Sequence, residues 1–346
     1  MFSYAPELEM RLNHLKAQFE ERRVSEMLEA EPARVEALSF TLGPVFCDLS
    51  KHLIDAEALG ALIALAKAAQ LPQAIEAMFT GQKINTSESR PAWHVALRDS
   101  ELQQQDYQGK PLCELVQPQM TKMRESVKNI REGVWTGYTG KPFTDVINLG
   151  IGGSDLGPRM ATHALSAFHT GPVRVHFVSN VDALDLEGCL KDKNPETTLF
   201  IIASKSFTTQ ETLLNAQAAR RWLLEHLQSE TAVAQHCMAI TSQPERAIAL
   251  GVHPEKILEM WDFIGGRYSI GSTIGFPLAV AIGMEGFEEM LKGGMAMDRH
   301  FRSAPFSENL PVLLGLLGIW YRNFLGWETH AVLPYDERLK YFVDYL

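Results

Sequence analysis

The residues best suited to chemistry crowd into one stretch, Phe200-Ile201-Ile202-Ala203-Ser204-Lys205-Ser206-Phe207-Thr208-Thr209-Gln210-Glu211-Thr212. Hydroxyls at Ser204, Ser206, Thr208 and Thr209 can donate to an oxyanion, and Lys205 adds a positive point charge. The surrounding elements suit that task. Residues 199–203 form a short apolar run of the kind that makes a buried parallel strand. Thr208 and Glu211 stand at capping-box spacing, so a helix is expected to begin there and run to about residue 225. A helix N-terminus presents unpaired N–H groups and the positive end of the dipole, which together favour phosphate. The same residues also suit an ordinary strand-to-helix turn with its N-cap.

A glycine turn, Leu149-Gly150-Ile151-Gly152-Gly153-Ser154-Asp155-Leu156-Gly157, holds an equivalent position after one expected strand and before a helix. Glycines let the backbone approach a ligand closely, and Ser154 offers a hydroxyl at the helix start. The dinucleotide fingerprint fails, because Asp155 stands where its third glycine belongs, and no phosphate loop of the G-x-x-x-x-G-K-[ST] type is present. A tight turn capped by Ser or Asp is the alternative. In Trp261-Asp262-Phe263-Ile264-Gly265-Gly266-Arg267-Tyr268-Ser269-Ile270-Gly271-Ser272, an arginine follows paired glycines between aromatic neighbours. Its permanent charge suits an oxyanion, a carboxylate or a structural ion pair.

Three separate stretches reach one site only if a sheet delivers them. From residue 133 to about 285, strand-like runs at 146–149, 173–178, 198–203, 237–241 and 257–260 alternate with helical segments at 156–168, 183–190, 211–227 and 244–250. That alternation predicts an α/β fold, a parallel sheet covered on both faces by helices, with ligands beyond the carboxyl ends of the strands. Residues 1–132 read as a mainly helical N-terminal region. It has amphipathic spacing over 7–30, a hairpin around Gly43-Pro44, helices at 55–69, 71–79 and 112–130, and a short helix opening at Pro91. Residues 286–346 read as connecting helices at 287–297 and 309–324, then a strand at 330–333 and a helix at 336–345. A lone strand cannot bury its own faces, so this end reads as the start of a second, truncated domain.

The chain has 346 residues, with 46% hydrophobic and 21% charged, an ordinary soluble composition. A formal charge of −10 argues against non-specific nucleic-acid or membrane binding. The four cysteines, Cys47, Cys113, Cys189 and Cys237, form no paired motif and read as reduced thiols. No metal-ligand spacing of the H-E-x-x-H type and no G-x-S-x-G elbow occur.

LGIGGSDLGP at 149–158, ASKSFTTQET at 203–212 and GGRYSIGSTIG at 265–275 together resemble the glucose-6-phosphate isomerase (phosphoglucose isomerase) family. The stretches from Lys83 to Arg98 and from Phe46 to Lys51 support the resemblance, which runs from about residue 40 to the end. It implies a pair of sugar-isomerase (SIS-type) αβα domains, of which this chain holds the first. It implies that Gly153, Ser154, Ser204, Lys205, Ser206, Thr208 and Thr209 hold the substrate phosphate. Arg267 would stabilise the cis-enediol(ate) formed as glucose 6-phosphate and fructose 6-phosphate interconvert in glycolysis and gluconeogenesis. Ser206 stands where the family usually has threonine, and keeps the hydroxyl.

Aldose–ketose isomerisation moves a proton between C1 and C2, so it needs a base near C2 and a cation near the developing oxyanion, and no metal or organic cofactor. The family's catalytic glutamate, in D-x-E-S-N-G-K, would follow the segment resembling residues 334–345, with the ring-opening histidine and a late lysine further on. The expectation is therefore an N-terminal fragment of a cytoplasmic enzyme. Alone it would be inactive; at full length it would be a homodimer with no nucleic-acid or membrane partner. A non-catalytic sugar-phosphate-binding regulatory module is the alternative. A nucleotide-dependent enzyme is a weaker rival, given the failed fingerprint.

Overall fold

The computed structural model describes residues 6–19 and 21–346. The chain divides into two compact units, Met1–Phe79 with Gly294–Ala331, and Thr80–Gly293 with Val332–Leu346.

The second unit is built on five strands: β1 (Asp145–Leu149), β2 (Arg174–Val178), β3 (Thr198–Ala203), β4 (Cys237–Thr241) and β5 (Ile257–Glu259). All pair in parallel, in the order β2-β1-β3-β4-β5. Every residue of β1, β3 and β4 is buried, which is why these strands read as continuous apolar runs. The pleat nevertheless sorts their side chains between two cores. Val146, Leu199, Ile201, Met238 and Ile240 pack with the helices Cys113–Arg131 and Leu156–Ala164 and the start of Phe276–Ser303. Ile147, Leu149, Phe200, Ile202 and Ala239 pack with Ala183–Leu190, Gln210–Leu227 and Pro244–Ala249 on the other face. Register aligns Leu149 with Ile202 and Ala203 with Ile240, so β1, β3 and β4 end nearly level. Strand order reverses at β1, placing the topological switch point between the loops that follow β1 and β3.

The first unit is helical apart from the expected hairpin, Ser39–Leu42 paired with Val45–Asp48 across Gly43 at φ +55°. The sequence reading of one helix over 7–30 gives way to two, Pro6–Phe19 and Val24–Ala30. Asp55 caps Ala56–Ala68, accepting from the Ala58 amide at 2.9 Å. Leu12, Leu15, Phe19 and Trp320 form the centre of the core, with Trp320 edge-on to Phe19 at 5.4 Å. Among the described residues, no single helix is long and apolar enough to cross a membrane.

The structure corrects several expected elements. No strand forms at 330–333: no strand lies beside it, and Leu333 is 72% exposed. A strand without a neighbour leaves its ladder groups unpaired. The expected helix at 336–345 shrinks to the short turns Glu337–Leu339 and Phe342–Tyr345. Pro91 opens only a 3₁₀ turn, His94–Leu97. The helix expected at 287–297 is longer, Phe276–Ser303, with Gly283 at φ +82° allowing its bend. The capping box at Thr208 is absent. The helix begins one residue earlier than expected, at Gln210, with Thr209 in the cap position and no side chain bonded to its first amides.

Candidate active site

Four strand ends converge on one cleft of about 660 Å³. The turn after β1 contributes Gly153 and Ser154, and the loop after β3 contributes Ser204, Lys205, Ser206 and Thr209. The loop after β4 adds Ser242, Gln243 and Arg246, and the segment after β5 adds Asp262, Gly265 and Gly266.

The glycine turn is fixed from below. Buried Asn148 on β1 donates from Nδ2 to the Ser154 carbonyl at 3.0 Å. Gly152 adopts φ +59°, a conformation that favours glycine. Gly153 is needed for another reason. A Cβ there would stand 2.2 Å from the Gly266 carbonyl oxygen, so a side chain would drive the two backbones apart. Ser269 ties them together, its hydroxyl lying 2.8 Å from the Gly266 carbonyl and 3.3 Å from that of Gly153. The glycine turn and the arginine loop thus form one rigid wall.

The loop after β3 is held as firmly. The Lys205 carbonyl accepts from Thr241 Oγ1, Ser242 Oγ and the Ser242 amide at 3.0, 2.8 and 3.0 Å. Phe207 takes a left-handed φ of +52°, which costs a non-glycine residue about 1–2 kcal/mol. Its ring is 3% exposed and sits in the core with Ile202, which offsets that cost. The backbone is therefore forced to turn sharply between Ser206 and Thr209. The helix Gln210–Leu227 starts without a side-chain cap, and Thr209 and Thr212 of its first turn line the cleft, an arrangement suited to an anion.

Lys205 Nζ donates to the carbonyls of Ile264 and Asp262 at 2.8 and 3.1 Å and lies 3.6 Å from the Asp262 carboxylate. Burial pulls its pKa below the ordinary lysine range, against the opposing pull of Asp262. The lysine is thus both a cation in the cleft and the clamp that joins the loop after β3 to the arginine loop. Beside the cleft, buried Asp155 pairs with Arg159. Burial raises its pKa to about 6 despite that partner.

Of the residues expected from the sequence, Gly153, Ser154, Ser204, Lys205, Ser206 and Thr209 line this cleft together. Thr208 is not among its lining residues; its hydroxyl is spent on Ser206 Oγ at 2.7 Å. Arg267 lines an adjoining cleft of about 550 Å³, which shares Glu88, Lys205, Asp262, Gly265 and Gly266 with the first. Its guanidinium lies over the Tyr268 ring at 5.5 Å. Sequence reading assigned no role to Arg90, which pairs with Asp262 at 3.2 Å, or to Arg246, which donates to the Ser206 carbonyl at 2.7 Å. Thr212 was also missed. It stands one turn into the helix, lines the cleft and keeps a buried hydroxyl without a partner. Its place three residues after Thr209 was the available signal, because that spacing returns a side chain to the same helix face. Among the described residues no cluster of three or more His, Cys, Asp or Glu could hold a metal ion, and the four cysteines are free.

A family model described as phosphoglucose isomerase matches residues 48–346. The chain belongs to that family. It is 47% identical over 319 residues to a glucose-6-phosphate isomerase of Methylococcus capsulatus, covering 92% of this chain and 58% of that one. It is 48% identical over 313 residues to another of Corynebacterium efficiens, covering 90% and 58%. The chain therefore spans less than two thirds of the length of these phosphoglucose isomerase relatives. A crystal structure of a glucose-6-phosphate isomerase from Chlamydia trachomatis matches at a TM-score of 0.83 and 29% identity, over 99% of this chain and 65% of that one. The family match takes in all three strand-end stretches that build the cleft.

Proposed function

We propose that this chain holds the sugar phosphate in a glucose-6-phosphate isomerase and supplies the cation that stabilises the intermediate. One observation supports this above all. Six expected phosphate-binding residues from two separate stretches meet in one cleft at the switch point of a parallel sheet. Ser154, Ser204, Ser206 and Thr209 donate hydroxyl hydrogens to the phosphate. The helix Gln210–Leu227 presents its free amides, and Lys205 balances charge. With the phosphate fixed, the far end of the open-chain sugar reaches toward Arg267 in the adjoining cleft. A base takes the C2 proton of glucose 6-phosphate, the C1 carbonyl oxygen becomes the anionic end of a cis-enediolate, the hydroxyl proton on O2 passes to O1, and the base returns its proton to C1 to give fructose 6-phosphate. Arg267 lowers the cost of the negative charge at that oxygen. Binding energy from the phosphate, remote from the reacting carbons, orients C1 and C2. We assign the pair of sugar-isomerase domains, the homodimer and the cytoplasmic setting to the whole enzyme on the same basis.

The test uses a hybrid in which the remaining residues of the Methylococcus capsulatus relative follow Leu346. Lys205→Ala is expected to raise KM for fructose 6-phosphate, and Arg267→Ala to lower kcat with KM nearly unchanged. Equal effects of both variants on both constants would refute the assigned roles.

A further inference from the structure

We propose that Tyr268, backed by His94, is a positioning residue that aims the Arg267 guanidinium at the reacting end of the substrate. Arg267 is exposed, and among the described residues no carboxylate pairs with it. A free arginine loses rotamer entropy when a ligand fixes it, so a site that uses one gains from holding it in place beforehand. A chain of contacts supplies that hold. The guanidinium carbon lies 5.5 Å from the centre of the Tyr268 ring. That ring stacks on His94 at 5.0 Å with planes 15° apart. Arg98 Nη2 lies 2.9 Å from His94 Nδ1, which must accept because a guanidinium can only donate. The imidazole is therefore neutral, with its proton on Nε2, and burial together with Arg98 pushes its pKa down to about 4. A neutral imidazole adds no positive charge beside the phenol, so the ring keeps its attraction for the guanidinium. From behind, Tyr345 Oη donates to the Arg267 carbonyl at 3.1 Å and holds the backbone of the stack.

The inference rests on the reading of Arg267 as partner of the developing oxyanion. The experiment separates the two. The 346-residue chain is labelled with ¹⁵N-arginine, and the Arg267 Nε–Hε signal is assigned by its loss in Arg267→Ala. Ring current from Tyr268 is expected to shift that signal upfield. Tyr268→Leu returns it to the range of free arginines, and Tyr268→Phe keeps it. Tyr268 is half-exposed, so neither change opens the core. The same proteins are titrated with 5-phosphoarabinonate, which carries a carboxylate in place of the enediolate, and with arabitol 5-phosphate, which carries an alcohol there. The preference for the carboxylate is expected to fall about two- to fivefold in Tyr268→Leu and to be retained in Tyr268→Phe. Affinity for arabitol 5-phosphate stays constant and reports that the phosphate site is intact. An Arg267 signal at the free position in the parent chain overturns the proposal. A preference unchanged in Tyr268→Leu but lost in Arg267→Ala overturns it while sparing the reading of Arg267. A preference unchanged in Arg267→Ala overturns both.

Discussion

Gly153→Ala is the substitution that most directly probes the wall that the glycine turn and the arginine loop form beside the proposed phosphate site. The added Cβ would meet the Gly266 carbonyl oxygen at 2.2 Å and its carbon at 2.4 Å. Both are backbone atoms, so no side chain can swing aside. Relief to the shortest real Cβ contact needs a separation of about 0.8 Å. Overpacking of this kind costs about 1–3 kcal/mol. The retreat also carries the Ile264 and Asp262 carbonyls, now 2.8 and 3.1 Å from Lys205 Nζ, beyond good hydrogen-bond range. Losing a hydrogen bond to a charged group is worth about 1.5–3 kcal/mol, so affinity for fructose 6-phosphate should fall by about tenfold or more. Gly152→Ala is the control. Its Cβ meets nothing within 4 Å, and it suffers only the left-handed φ of +59°, worth about 1–2 kcal/mol. It should lose stability and retain affinity. Urea unfolding of both variants, with calorimetric titration of the sugar phosphate, checks this. Unchanged affinity in Gly153→Ala, or an equal loss in both variants, would refute the reasoning.

Other outcomes follow from the same geometry. Burial raises the pKa of Asp155 in the folded chain to about 6, from an ordinary value of 3.8. Its contribution to stability is therefore full below about pH 4 and is lost as pH rises through 6. Asp155→Asn should remove that decline, seen as a flatter urea midpoint between pH 4 and 6. Tyr345→Phe deletes the hydroxyl that holds the Arg267 carbonyl and leaves its ring against Gly157, so it should cost only about 0.5–1.5 kcal/mol in urea unfolding. Phe207→Gly relieves the left-handed backbone yet removes a ring that is 3% exposed, and the lost packing should win by about 2 kcal/mol or more in the same assay.

The sheet was readable in the sequence because its strands are buried on both faces. Leu199 to Ala203 and Cys237 to Thr241 carry no polar interruption until the chain leaves the core, so their ends mark the site. That Gly153, Ser154, Ser204, Lys205, Ser206 and Thr209 would share one cleft was legible for the same reason: polar groups placed directly after such strands have one edge to reach. Thr208 reads in the sequence like its hydroxyl neighbours, and the turn at Phe207 brings its hydroxyl to that of Ser206, two residues away. Other parts were decided by distant partners. Arg90 and Arg246 sit on loops with no periodic signal, and their roles come from Asp262 and the Ser206 carbonyl, 172 and 40 residues away. Residues 330–333 have the apolar content of a strand, yet a strand also needs a neighbour.

Calorimetric titration of the 346-residue chain with fructose 6-phosphate and with fructose tests most directly whether these strand ends grip a sugar phosphate. Saturable binding of the phosphorylated sugar alone, weakened at least tenfold by Lys205→Ala, is the expected result. Equal affinity for the two sugars, or binding indifferent to Lys205→Ala, would contradict it.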